Sequence, residues 1–260
     1  MEVVIVPTVQ DAAAVVVEAI TAALHRRPAP VLGVATGSSP LPTYRLLVTA
    51  VGAGRLSFAT ASAVLLDEYV GLPLDHPQSY RTFIRTHLTD LVDLDPRRLH
   101  GPDVGADDLP AACAAYEELL IELGGVDLQL LGIGSDGHIG FNEPSSSLTS
   151  RTRIKTLTEQ TRRDNARFFG ALGEVPRHVV TQGLGTIAAA RHAVLVATGA
   201  AKAGPIAAAV EGPLTAMCPA SVLQLHPHAT VVVDEPAASG LRLAGYYRDV
   251  FAAKPAWQGL

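Results

Sequence analysis

Short apolar runs alternate along the chain with amphipathic stretches, and most runs end in glycine or a polar cluster. The runs at 31–35, 63–66, 126–133, 178–184, 193–197 and 230–233 are mostly apolar, with neighbouring apolar positions that fall on both faces of a strand. That predicts strands buried on both faces rather than half-exposed ones. Between them, 11–25, 41–51, 107–123, 158–169, 200–210 and 236–246 carry helical spacing. Thr8 and Asp11 stand as a capping box opening the first helix. Doubly buried strands separated by helices predict an α/β fold, an open, mostly parallel, doubly wound (Rossmann-like) sheet with helices on both faces. Neither a repeat nor a linker interrupts the pattern, so residues 1–260 are expected to form a single domain, with a small side structure around 145–157.

Composition narrows the class. Of 260 residues, 48% are hydrophobic and 17% charged, which excludes a disordered chain and a coiled coil. Lys and Arg number 20 against 25 Asp and Glu, a net charge of −5 without a basic stripe, so no nucleic-acid partner is expected. Cys113 and Cys218 lie too far apart for metal-ligand spacing and make no disulfide framework, which fits a reducing compartment. Residues 1–7 lack the basic region and the long apolar run of a signal peptide. The uncharged stretch 212–233 is broken by Pro213, Pro219 and Pro227 and carries Gln224, His226 and His228, which argues against a membrane span. A cytoplasmic protein is expected.

Open parallel sheets bind ligands at the carboxyl ends of their strands, so the residues just after each run come first. Thr36, Gly37, Ser38 and Ser39 follow one strand and precede a helix; hydroxyls and free amides there suit a phosphate, although an ordinary strand–helix turn reads alike. Asp67 and Glu68 follow a second apolar run. An acid at that edge meets a low dielectric that raises its proton affinity, and Asp67, nearer the strand end, is the preferred base. The segment 132–144 is the densest: three glycines within six residues, and Asp136, His138 and Glu143 close enough to converge on one imidazole. No His/Cys cluster suggests a metal. Arg167 and Lys202 are the cations best placed for an anionic substrate.

Leu66-Asp67-Glu68-Tyr69-Val70-Gly71-Leu72 with Gln78-Ser79-Tyr80, then the run from Gly134 through Leu148, Ser150 through Leu157, and Leu223-Gln224-Leu225-His226, together resemble the glucosamine-6-phosphate deaminase (isomerase) family over nearly the whole chain. Related 6-phosphogluconolactonases share the Asp-Gly-His core but not the Phe141-Asn142-Glu143-Pro144 continuation. The resemblance implies conversion of glucosamine 6-phosphate and water to fructose 6-phosphate and ammonia, in amino-sugar catabolism, with no cofactor. It implies that Asp67 moves a proton between C2 and C1, that His138 opens the sugar ring, and that Asp136 and Glu143 orient that histidine. Thr36, Gly37, Ser38, Ser39, Arg167 and Lys202 fall where the family holds phosphate and sugar. The family usually has Ala at Gly140, a change expected to affect loop flexibility. Some members are hexamers activated by N-acetylglucosamine 6-phosphate at a separate site, and Ser146, Ser147, Arg153 and Lys155 match residues of that site; its acidic position falls on His192. A sugar-phosphate partner is therefore implied, while homo-oligomerisation and activation stay open. The competing readings are a lactonase on the same fold and a non-catalytic sugar-phosphate sensor.

Overall fold

The structure, a computed structural model, describes residues 1–73, 75–166 and 169–260. Ten strands are present among the described residues: β1 Glu2–Val6, β2 Val31–Val34, β3 Ser62–Leu65, β4 Asp67–Tyr69, β5 Leu99–His100, β6 Leu128–Leu131, β7 Arg153–Thr156, β8 His178–Thr181, β9 Ala193–Ala197 and β10 Ala229–Asp234. Seven form one parallel sheet in the order β1-β10-β9-β6-β2-β3-β5. Helices cover both faces, as the doubly apolar strands require. On one face, Val4, Leu32, Val34, Leu128, Leu130, Val194 and Val196 pack with α1 (Val9–Arg26) and α2 (Leu41–Gly52). On the other, Leu131, Leu195, Ala197, Val231 and Val233 pack against Leu184 and Ile187 of a short helix and Ile206, Ala209 and Val210 of Ala203–Glu211. Thr8 and Asp11 make the reciprocal capping box at α1.

Strand order reverses between β2 and β6. Going one way the chain builds β2-β3-β5; going the other it builds β6-β9-β10. Loops leaving β2 and β6 at their carboxyl ends therefore diverge and leave a crevice, where open α/β sheets bind ligands.

Several expectations needed the third dimension. The run 178–184 forms no central strand: β8 ends at Thr181, and it joins β4 and β7 in a separate antiparallel sheet. Val179 and Val180 are both buried, each under a different small cluster, so the doubly apolar signature arose without the main sheet. A helix, Leu184–Ala188, follows at once, and Gly183 permits it, since a Cβ there would lie 2.1 Å from the Ser150 carbonyl oxygen. The expected helix 236–246 is two, Glu235–Ala238 and Ala244–Ala252, and between them the Arg242 and Leu243 amides donate to the Glu211 carboxylate and do not continue a helix. β1 and α3 (Tyr80–His87) are further elements; β1 is the β-branched run Val3–Val6, short and stopped by Pro7, and α3 opens at a Ser79 cap. The side structure expected around 145–157 is β7 and the turn leading into it.

Candidate active site

The β2 loop forms the first wall of the crevice. Tyr44 of α2 fixes its start: the Tyr44 hydroxyl accepts the Ala35 amide at 3.0 Å and donates to the Ala35 carbonyl at 2.6 Å. Gly37 then turns at φ 95°, a left-handed conformation that glycine adopts without strain. Thr36, Gly37, Ser38 and Ser39 all line a cavity of about 610 Å³.

β4 forms the second wall. It leaves β3 through Leu66 and pairs with β8, so its side chains alternate between faces. Asp67 and Tyr69 turn to the cavity. Glu68 turns away and accepts backbone N–H groups of Tyr69, Tyr80 and Arg81 at 2.9, 2.9 and 2.8 Å. Asp67 is 5% exposed, and among the described residues no hydrogen bond or ion pair engages its carboxylate. Burial, reinforced by the charge of Glu68, holds its proton affinity well above the ordinary carboxylate range. Of the two acids open at sequence level, the one on the cavity is Asp67.

The β6 loop closes the site. Gly134 leaves room for the imidazole of His138, whose ring would lie 2.2 Å from a Cβ there. His138 Nδ1 is 2.6 Å from Asp136 Oδ1, which also accepts the His138 backbone N–H at 3.1 Å. The carboxylate fixes the Nδ1–H tautomer and leaves Nε2 for exchange with a ligand. The same hydrogen bond holds the Asp136 carboxyl below its ordinary range. Asp67, Asp136 and His138 open on one cavity.

Glu143 departs from the expected arrangement. Its Oε1 accepts Thr161 Oγ1 at 2.5 Å and Thr158 Oγ1 at 3.4 Å, so one acid, not two, contacts the imidazole. The cause is the turn after His138. Gly140 sits at φ 55°, the Asn142 amide folds back on the Ile139 carbonyl, and the chain carries Glu143 to the start of α5 (Glu159–Ala166). Glycine adopts this turn without strain, and a Cβ there would lie 2.9 Å from Thr181 Oγ1.

Lys202 lines the cavity and donates from Nζ to the Ile133 carbonyl at 2.6 Å. Burial lowers its proton affinity, and the charge of Asp136 opposes that. Arg167 lies outside the described residues. The four residues matched to an activator site are not on the cavity. Ser146 is buried, Ser147 Oγ contacts Thr149, the Arg153 guanidinium donates to Asn142 Oδ1 at 2.9 Å, and Lys155 lies on β7. His192 does not join them. It is buried at the amino end of the sheet, hydrogen-bonded to Thr230 and stacked on His228 at 3.7 Å. Among the described residues no cluster of three His, Cys, Asp or Glu could hold a metal, and no helix is long and apolar enough to cross a membrane.

Roles for the aromatic lining were not assigned from sequence. Tyr69, Tyr80, Phe141 and Phe169 line the cavity, with the Tyr80 and Phe141 rings stacked at 6.0 Å and 3° and Tyr69 and Phe169 edge to face at 5.5 Å. Their sequence separations show no periodicity, so nothing but tertiary packing gathers them.

Residues 7–233 match the family described as glucosamine-6-phosphate isomerases/6-phosphogluconolactonase. A glucosamine-6-phosphate deaminase of Arthrobacter sp. (strain FB24) is 61% identical over 260 residues, all of both chains. One of Streptomyces coelicolor is 59% identical over 261 residues, again all of both. Among solved structures, a monomeric glucosamine-6-phosphate deaminase superposes with a TM-score of 0.89 at 40% identity, covering 92% of this chain and 100% of its own. A 6-phosphogluconolactonase of Trypanosoma brucei shares the fold with a TM-score of 0.72 at 20% identity, over 92% of this chain and 98% of its own.

Proposed function

Because the chain belongs to the glucosamine-6-phosphate isomerase/6-phosphogluconolactonase family, we infer that it is a glucosamine-6-phosphate deaminase, converting glucosamine 6-phosphate and water to fructose 6-phosphate and ammonia. The observation that carries the mechanism is the shared cavity: a buried Asp67, without a hydrogen-bond partner among the described residues, on one wall and a carboxylate-oriented imidazole on the other.

The chemistry needs both. The pyranose must open before C2–H becomes acidic, because only the open chain has a carbonyl at C1. His138 Nε2 is suited to carry the proton from O1 to O5, since an imidazole nitrogen can both accept and donate a proton. Asp67 then takes the C2 proton, and the proton released by the substrate's ammonium passes through His138 Nε2 to O1, giving an enolamine. Returning the Asp67 proton to C1 leaves an imine at C2. Water adds there and ammonia departs, which balances the reaction. A desolvated carboxylate with raised proton affinity is matched to this shuttle. Thr36, Gly37, Ser38, Ser39, Lys202 and Arg167 are proposed to hold the phosphate, and remote phosphate binding fixes the reacting carbons. Glu143 is assigned to anchoring the α5 start through Thr158 and Thr161.

A lactonase would use His138 but has no carbon-acid step for Asp67, and the likeness to lactonases at 20% identity speaks for the fold alone. We further propose that one chain suffices and that N-acetylglucosamine 6-phosphate has no effect. In support, a 40%-identical relative is monomeric. The buried free thiols of Cys113 and Cys218 fit a reducing cytoplasm. Ammonia release from glucosamine 6-phosphate, measured with and without N-acetylglucosamine 6-phosphate and beside size measurement, tests all of this. Absence of ammonia together with hydrolysis of 6-phosphogluconolactone would overturn the deaminase reading.

A further inference from the structure

Glu68 stands directly behind Asp67 and has no part in the mechanism above. It is 1% exposed, yet its carboxylate takes three backbone amides, one from its own strand and two from the first turn of α3. That helix already has a side-chain cap: Ser79 Oγ accepts the Thr82 amide at 3.1 Å. Ser79 serves that one amide, and the two before it, of Tyr80 and Arg81, are left to a buried charged acceptor that comes from the strand of Asp67, not from the helix's own cap.

We propose that Glu68 is a positioning residue for the deamination, clamping α3 to the strand of Asp67 and holding a fixed negative charge behind the base. The inference rests on the deaminase reading. Two adjacent carboxylates point to opposite faces of β4, and α3 lies on the face of Glu68 and delivers the amides of Tyr80 and Arg81 to it. The helix dipole favours the charge there as well. Asp67, on the opposite face of the strand, receives none. The pair is thereby split: burial raises the proton affinity of both, but the three amides and Arg81 oppose it at Glu68, so Glu68 is the member that gives up its proton first and Asp67 the member left to exchange protons. The clamp has a second consequence. It fixes Tyr80, whose ring stacks on Phe141 in the histidine loop and whose hydroxyl reaches Tyr69 at 3.3 Å. One carboxylate thus ties the base, the aromatic wall and the loop of His138 into one unit.

The charged and titratable groups around the pair are few. Arg81 on α3 faces Glu68; Tyr80 on α3 and Tyr116 on α4 (Leu109–Glu122) feel the charge of Asp67; Asp136, His138 and Lys202 share the cavity. Of these, Glu68 is the negative charge that acts on Asp67 itself. Removing it should let Asp67 lose its proton at lower pH.

The test compares the wild type with Glu68→Gln and Glu68→Asp as full chains, measuring ammonia release from glucosamine 6-phosphate across pH. For Glu68→Gln we expect kcat to fall about tenfold or more with KM nearly unchanged, and the acid limb of kcat/KM to move to lower pH. Glu68→Asp keeps the charge but shortens the clamp, so it should lose kcat while its acid limb stays in place; this variant also serves if the glutamine protein does not fold. A purely structural cap predicts a lower melting temperature with the wild-type kcat and limb in the folded fraction, and that result would overturn the proposal. So would an acid limb in Glu68→Asp displaced to lower pH. A wild type inactive on glucosamine 6-phosphate at every pH would instead sink the deaminase reading, and this inference with it.

Discussion

Two buried aspartates at opposite ends of the same sheet live in opposite surroundings. Asp127, at the amino end beside β6, is 2% exposed and accepts the Val31 amide at 2.8 Å, with Arg191 at 3.2 Å and Arg27 at 3.4 Å. Asp67, at the carboxyl end, is 5% exposed and has no such partner among the described residues. The histidines repeat the contrast. His192, at the amino end, is driven down to about 3 by burial and then by His228, Arg26, His226 and Lys254, so it is held neutral. His138, at the carboxyl end, has a carboxylate on one nitrogen. Burying a carboxylate is costly unless donors offset the lost water. At the amino end donors do so and the strands are stapled together. At the carboxyl end the cost is left in place as proton affinity, which a catalyst can use.

The comparison breaks most sharply at Asp67. Asp67→Asn should lower ammonia release by about a thousandfold or more while the fold persists. Its stability effect has a definite sign. The folded-state proton affinity of Asp67 is raised, so its contribution is fully present below the ordinary carboxylate range and is lost as pH rises through the folded value. The asparagine variant should therefore match the wild type in acid and become the more stable protein as pH rises, in urea titrations at several pH values. Equal stability at all pH would mean that Asp67 is solvated or paired in solution.

His138→Gln should slow turnover about a hundredfold, and an open-chain substrate analogue should recover much of the loss. Failure of that analogue to discriminate would remove ring opening from His138. At the opposite end, Asp127→Ala should cost about 2 kcal/mol by orphaning the Val31 amide, with kcat of the folded protein unchanged. A large kcat effect would show that the two ends are not independent.

His192 sharpens the same contrast through pH. Its folded-state proton affinity is depressed, so its contribution is present above the ordinary histidine range and drains away as pH falls from that range toward about 3. His192→Gln should flatten this acid loss in thermal denaturation, with activity intact near neutrality. The smallest effect is expected at Gly140→Ala: about 1 kcal/mol for a left-handed alanine, together with whatever Thr181 must yield at 2.9 Å. Thermal unfolding reads this directly.

Local chemistry was legible in the amino-acid sequence. Doubly apolar runs announced a sheet covered on both faces, because burial leaves no polar alternation to write. Thr8 with Asp11 announced a helix start, and glycines with His138 and Asp136 announced a site, because those interactions span only a few residues. What tertiary structure alone decided was partnership over distance. The 178–184 run reads the same whether it joins the main sheet or the side sheet, since burial by 69 and 141 looks like burial by any apolar neighbour. Glu143 is near His138 in sequence yet bonds to Thr158 and Thr161, because a left-handed turn at Gly140 redirects the chain. Glu68 and Asp67 are adjacent carboxylates with no distinction in sequence. Their roles separate only when the strand places one against the donors of α3 and the other against an open cavity, since proton affinity is set by what surrounds a group in space.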